Sequence, residues 1–369
     1  MTGRECVHNI LNRRPTDRLS WKTLADPATL SAMPEPERSM SPLDFYGRIG
    51  ADVLQFGNYG LPKEVCVPSP AKPVWEGVRV ETCRSPDGAR TDRTVTRWGE
   101  LTAVTRNGHP VKHRVESVAD LRVLRNMWEA MTYEEVDGHE EGFRRAEALI
   151  GDRGAYVPTL QPSPVQQLIE VDMGQVNFYY LLQDAPEEMQ GLLDAMHERR
   201  KWEYEIVTRR TPAEVVIPVE NTSSTLTSPA VYERFSLPQM SDYVNIAHRN
   251  GKKIVFHMCG CLKALLPIIR RTGLDGYNAM TPPTVGDTSF EYALDILGED
   301  TVILGGVLDP TVFQMAGLTR DELRRALDEV YTPRVRRAHL MLWLGADGLP
   351  TPLDRFLWVR EWMEENGKL

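Results

Sequence analysis

The segment Val255-Phe256-His257-Met258-Cys259-Gly260-Cys261 sets an imidazole and two thiols at the end of an apolar run. Side chains alternate along a strand, so His257 and Cys259 point to the same side. An imidazole and a thiolate at this spacing can both reach one zinc ion, whose preferred ligands they are. Gly260 permits a sharp turn or close approach of a ligand to the backbone. Cys261 falls at the start of the helical pattern 262–269, where a helix dipole favours a thiolate; it could be a third ligand, a reactive thiol or a small packing residue. The plain alternative for the pair is a buried His and Cys with no metal.

Other strand ends supply further polar groups. Glu220 follows an apolar run and precedes Asn221-Thr222-Ser223-Ser224-Thr225, so it is a candidate metal ligand or general base, against a structural ion pair with the hydroxyls capping the next helix. Asn58, Tyr59 and Tyr277 are candidate catalytic residues, Asn221 and Asp309 candidate cofactor contacts, and Asp347 a further candidate metal ligand. For each of these loop residues, ordinary turn chemistry is the competing explanation. The chain has no GxxxxGK[ST] loop, no strand-linked GxGxxG and no GxSxG elbow, which removes the usual signals for phosphate-loop, dinucleotide and serine-hydrolase chemistry.

Eight β-prone runs could position these groups, at 17–22, 51–57, 155–160, 213–219, 253–257, 274–278, 301–305 and 339–344. Most are followed by a helical pattern, the signature of βα units, and eight of them predict an α/β fold, a closed (β/α)8 TIM-type barrel. In such a barrel the C-terminal strand ends form the active-site mouth, where His257, Cys259 and Glu220 would meet. A helix is predicted from Pro186 to about Val207, and Ser228, Ser289 and Thr319 open others. Residues 65–110 are different: turn pairs Asp87-Gly88 and Asn107-Gly108 separate β-branched runs, predicting an antiparallel β insertion after the second strand, a lid or wall within one domain spanning 1–369.

With 369 residues, 41% apolar and 26% charged, the chain can bury a large core. A net charge of −9 argues against nucleic acid as a partner, and no run approaches a membrane span or a signal peptide, so a cytoplasmic location is expected. Cysteines at 6, 66, 83, 259 and 261 are odd in number and scattered, which leaves thiols available for chemistry rather than a disulfide framework.

Five blocks, in order, resemble the uroporphyrinogen decarboxylase superfamily: 9–18, 226–238, 252–260, 303–309 and 345–352. The Arg-Gln-Ala-Gly-Arg type of segment with which true decarboxylases of that superfamily bind substrate carboxylates is missing from the first 60 residues. The resemblance is closer to the zinc-dependent methyltransferases, which move methyl groups among corrinoid proteins, thiols such as coenzyme M and small methylated compounds. Their zinc is held by a His-x-Cys pair, matched here by His257 and Cys259, and by a later Cys, where this chain has Ala346 and Asp347. The resemblance therefore implies a zinc site completed by Glu220, Cys261 or Asp347, a corrinoid (cobalamin) carried by a partner protein, a small methylated substrate and self-association as a homodimer. Two rival expectations are a metal-independent decarboxylase or lyase using Glu220 and His257 as acid and base, and a binding barrel without chemistry.

Overall fold

The computed structural model describes residues 1–306, 308, 310–315, 317–345 and 348–369. The eight runs become eight strands: β1 (Ser20–Thr23), β2 (Val53–Phe56), β3 (Gly154–Val157, resumed after Pro158 as Thr159–Leu160), β4 (Val215–Pro218), β5 (Lys253–His257), β6 (Gly276–Met280), β7 (Val302–Gly305) and β8 (Leu340–Leu344). All pair in parallel, β2 to β3, on through β4 to β8, and β8 to β1. Between β1 and β2 the ring is closed by single bonds: Asp52 N donates to Trp21 O at 2.9 Å and Lys22 Nζ to Leu54 O at 2.7 Å. The outcome is the TIM-type barrel the strand count predicts.

Strand alternation divides the apolar residues into two cores. Leu54, Val157, Ile217, Val255, Leu304 and Met341 face inward, where Cys6, Val7, Ile10 and Leu11 of the N-terminal helix Gly3–Leu11 plug the N-terminal end of the barrel. Burying each of those helix side chains is worth roughly 1–3 kcal/mol, enough to hold a short helix in place. The intervening strand residues, among them Val216, Ile254, Phe256, Tyr277 and Ile303, pack outward beneath the helices. The predicted caps form: Ser228, Ser289 and Thr319 accept from Val231, Tyr292 and Glu322 backbone N–H groups. The helix begun at Pro186 runs to Arg210.

Two strands are displaced from their expected places. β1 starts at Ser20 because Arg18 is turned onto Asp52 through two bonds of 2.9 and 2.7 Å. β6 starts at Gly276 because Asp275 bonds Ile254 N and His248 ahead of it. The insertion contains the expected meander, Arg79–Arg84, Arg90–Thr96, Gly99–Arg106 and His109–Lys112, with Asn107 and Gly108 both at positive φ as a two-residue hairpin turn requires. It continues beyond 110 through the helices Val118–Ala130 and His139–Ile150 before β3 begins. Leu101, Val115, Leu124 and Trp128 bury together against the long helix Pro186–Arg210, so the insertion is built onto the outside of the barrel. Among the described residues no helix is long and apolar enough to cross a membrane.

Candidate active site

β5 carries His257 inward. Its register with β6 sets His257 beside Asn278, and His257 Nδ1 lies 2.5 Å from Asn278 Oδ1. Asn278 Nδ2 donates to Leu304 O at 3.4 Å, so its carbonyl oxygen faces the ring and Nδ1 must carry the proton. In the neutral ring the lone pair is then on Nε2. The imidazole stands edge-on to Phe56, with ring centres 5.8 Å apart, and 6.3 Å from Trp343. Below it the buried ammonium of Lys22 lies 3.6 Å from the Trp343 ring centre and 4.7 Å from that of Phe56, a cation held by two aromatic faces and the Leu54 carbonyl.

Cys259 sits beyond the strand end, and Gly260 turns the chain there at φ +98 with Ser223 packed close against it. The Cys259 thiol donates to Asn221 Oδ1 at 3.7 Å. Although the residue reaches the surface, crowding of its sulfur and, secondarily, the Glu170 charge push the thiol upward, so these surroundings alone keep it protonated in neutral solution.

Glu220 is close to His257 through the backbone: Glu220 N and Asn221 N donate to His257 O at 2.8 and 2.9 Å, with Asn221 in the left-handed region at φ +45. Its carboxylate is directed elsewhere. Ser163 Oγ donates to Oε1 and Ser163 N to Oε2, both at 2.6 Å, and Thr222 Oγ1 adds a bond of 3.3 Å to Oε1. The side chain is fully buried, and that burial pushes its pKa up to about 7 against the pull of the Ser163 and Thr222 bonds. With both oxygens occupied, Glu220 is a buried brace between the β3 and β4 ends. It is not presented as a ligand or a base to the space around His257.

The other candidates separate likewise. Cys261 Sγ donates to Val285 O at 3.8 Å, and the helix expected at 262 begins at Leu266; Asp287 instead accepts from the Leu262 and Lys263 N–H groups, so no helix dipole acts on this thiol. Asn58 spends its amide on Val67, in a bond of 2.9 Å to the carbonyl and 2.8 Å from the N–H, which clamps a turn. Tyr59 is exposed and its hydroxyl is 3.4 Å from Asp26 Oδ2. Tyr277 lies outside the barrel wall, with its hydroxyl 3.4 Å from Thr288 Oγ1; the neighbouring Asn278 is the inward residue. Asn221 stays at the mouth, joining Cys259 to Glu170, whose carboxyl is bonded by Asn221 and Gln166 and pushed up by crowding around its oxygens although the residue reaches the surface. Asp309 and Asp347 lie outside the described residues.

Glu170, Lys22 and Trp343 thus belong to the site or its support without having stood out in the sequence, whereas Ser163 and Asn278 stand at polar strand ends that the sequence offers as pocket lining. Glu170 lies in a π-helical turn, Leu168–Asp172, a local irregularity that sequence periodicity does not announce.

His257 and Cys259 open into one cavity of about 270 Å³, walled by Met280, Pro282, Leu308 and Trp343. No residue of the insertion is among its described lining, so the expected lid does not cover it. The donor types suit zinc, and Asn278 accepts from the His257 Nδ1 proton, the kind of contact that orients metal-bound histidines. The donor number falls short: no three His, Cys, Asp or Glu side chains gather as a metal site among the described residues.

A methyltransferase from Methanosarcina mazei has the same fold, with a TM-score of 0.57 and 13% identity over 99% of each chain. No curated protein matches the sequence. The model of the family described as uroporphyrinogen decarboxylase (URO-D) matches residues 167–352, half of the chain, which includes β4 to β8 and both His257 and Cys259. The chain belongs to the uroporphyrinogen decarboxylase (URO-D) family.

Proposed function

We propose that this family member is a methyltransferase that removes a methyl group from a small methylated compound and passes it to a corrinoid held by a separate protein. The observation behind this reading is the cavity itself. At about 270 Å³, with apolar walls and no arginine in its described lining, it suits a small methyl-bearing molecule. A tetrapyrrole with its ring of carboxylates would need far more room and several cations. Its polar side chains among the described lining are Thr281 and the two residues of the His-x-Cys pair, His257 and Cys259.

Zinc is part of the proposal with His257 and Cys259 as two ligands and Asp347 as the third. When bound, the ion would act as a Lewis acid on the heteroatom that carries the methyl group. The protein's own contribution is distinct from this. Asn278 fixes the His257 ring and its tautomer, Asn221 holds the Cys259 thiol at the mouth, and Trp343 and Met280 exclude water from the substrate. With Ala346 in place of the later cysteine, a carboxylate from Asp347 would give the ion a harder ligand set, suited to an oxygen or nitrogen donor more than to activation of a thiol.

Elemental analysis of anaerobically purified protein tests this reading. About one zinc per chain, lost in His257→Ala, Cys259→Ala and Asp347→Ala, is expected of a three-ligand site. A metal-free wild type that also fails to take up added zinc would overturn it. With zinc present, transfer from methyl ethers and methylamines to cob(I)alamin, followed by its absorbance, identifies the donor.

A further inference from the structure

At the opposite end of the barrel an open cavity of about 490 Å³ lies between the end of the N-terminal helix, the turn before β8 and the last residues of the chain. Its lining carries Arg14, Arg336, Arg337, His339 and Lys368, a concentration of cations in a chain whose net charge is −9. Their charge is only partly offset locally. Arg334, in the same turn, is shared by Glu291, Asp295 and Glu299. Among the described residues, by contrast, Arg14, Arg336, Arg337 and Lys368 have no carboxylate partner. Arg336 is steadied by the carbonyl of Asn366, which fixes the guanidinium without neutralising it. Against them stand Asp300, whose charge acts on His339, and the terminal carboxylate of Leu369, a residue of the cavity lining.

Guanidinium groups lining one space match the paired oxygens of a phosphate, and three of them with an ammonium leave a positive excess over two carboxylates. The remaining walls, Ile10, Pro15 and Ala338, are apolar. We propose that this cavity binds a phosphorylated small molecule of nucleotide size, with its phosphates on Arg14, Arg336 and Arg337 and its less polar body against Ile10 and Ala338. Such a ligand would join three segments far apart in sequence and so stabilise the folded chain by mass action.

The test uses the full-length protein at constant ionic strength, titrated with ATP, ADP and pyrophosphate by calorimetry and thermal unfolding. The expected result is saturable binding with a rise in unfolding temperature, tighter for ATP and ADP than for pyrophosphate. Arg337→Glu, at an exposed position, should weaken it by about tenfold or more. Arg336→Gln should weaken it similarly, and Arg325→Glu, the same charge change on another helix, should not. No saturable binding of any probe, equal binding of pyrophosphate and ADP, or equal weakening by Arg325→Glu would overturn the assignment.

Discussion

Glu220 gives the sharpest quantitative test of the site's construction. Its carboxyl, ordinarily near 4.5, is pushed up to about 7 by complete burial, with the Ser163 and Thr222 hydrogen bonds opposing. At ~1.4 kcal/mol per tenfold change in proton affinity, that rise corresponds to about 3 kcal/mol. The folded state binds this proton more tightly than the unfolded one. Its contribution is therefore complete below the unfolded pKa and is lost as the pH rises through about 7. His139, His197 and His339 act in the opposite direction, because burial lowers their pKa values and folding then favours the neutral ring. Wild-type stability alone would mix these effects, so the informative quantity is the difference between wild type and Glu220→Gln, which cannot titrate. Urea unfolding of metal-stripped protein from pH ~5 to ~8 should show the wild-type advantage over the glutamine variant falling by roughly 2–3 kcal/mol. A difference constant to within about 0.5 kcal/mol would mean that Glu220 titrates as an exposed carboxylate and would refute the buried brace.

Three further outcomes follow from particular contacts. Arg114→Ala should destabilise the chain by about 3 kcal/mol or more, because Asp172, fully buried, would lose its charged partner; adding Asp172→Asn should recover part of the loss in the same urea measurement. Gly260→Ala should cost roughly 1–3 kcal/mol, since the residue sits at φ +98 with a new Cβ 2.9 Å from Ser223 Oγ, and it should lower zinc affinity by moving Cys259, as read by competition with a chelating dye. Tyr277→Phe should leave zinc content unchanged and alter stability by less than about 1 kcal/mol, because its hydroxyl makes one long bond outside the barrel; loss of zinc on this substitution would place the residue at the site after all.

The barrel was legible because its strands are short apolar runs of βα spacing, and all eight formed. Their inward and outward faces were not. A strand covered on both sides has no polar face to mark its register, so Tyr277 and Asn278 look equivalent in sequence although only Asn278 meets His257. The same limit hid Lys22, whose place depends on Phe56 and Trp343 arriving from β2 and β8. The meander showed itself through its hairpin turns, whereas the helices that complete the insertion, Val118–Ala130 and His139–Ile150, follow no comparable punctuation.

His257 and Cys259 were legible as a pair because they lie two residues apart in one local segment, and they open into one cavity although the strand whose alternation paired them ends at His257. Glu220 was legible only as a nearby carboxylate. What decides its role is Ser163, fifty-seven residues away, which supplies two donors to the two carboxylate oxygens. A buried carboxylate without such donors would cost several kcal/mol and would invite a metal or a base function; with them it becomes a structural brace. The same reasoning sets what the site requires next. Two donors in an apolar cavity cannot hold zinc alone, so the methyltransferase reading depends on a third donor from the loop after β8. Asp347 is the residue that the sequence supplies there, and its removal tests the reading more severely than removal of either member of the His-x-Cys pair.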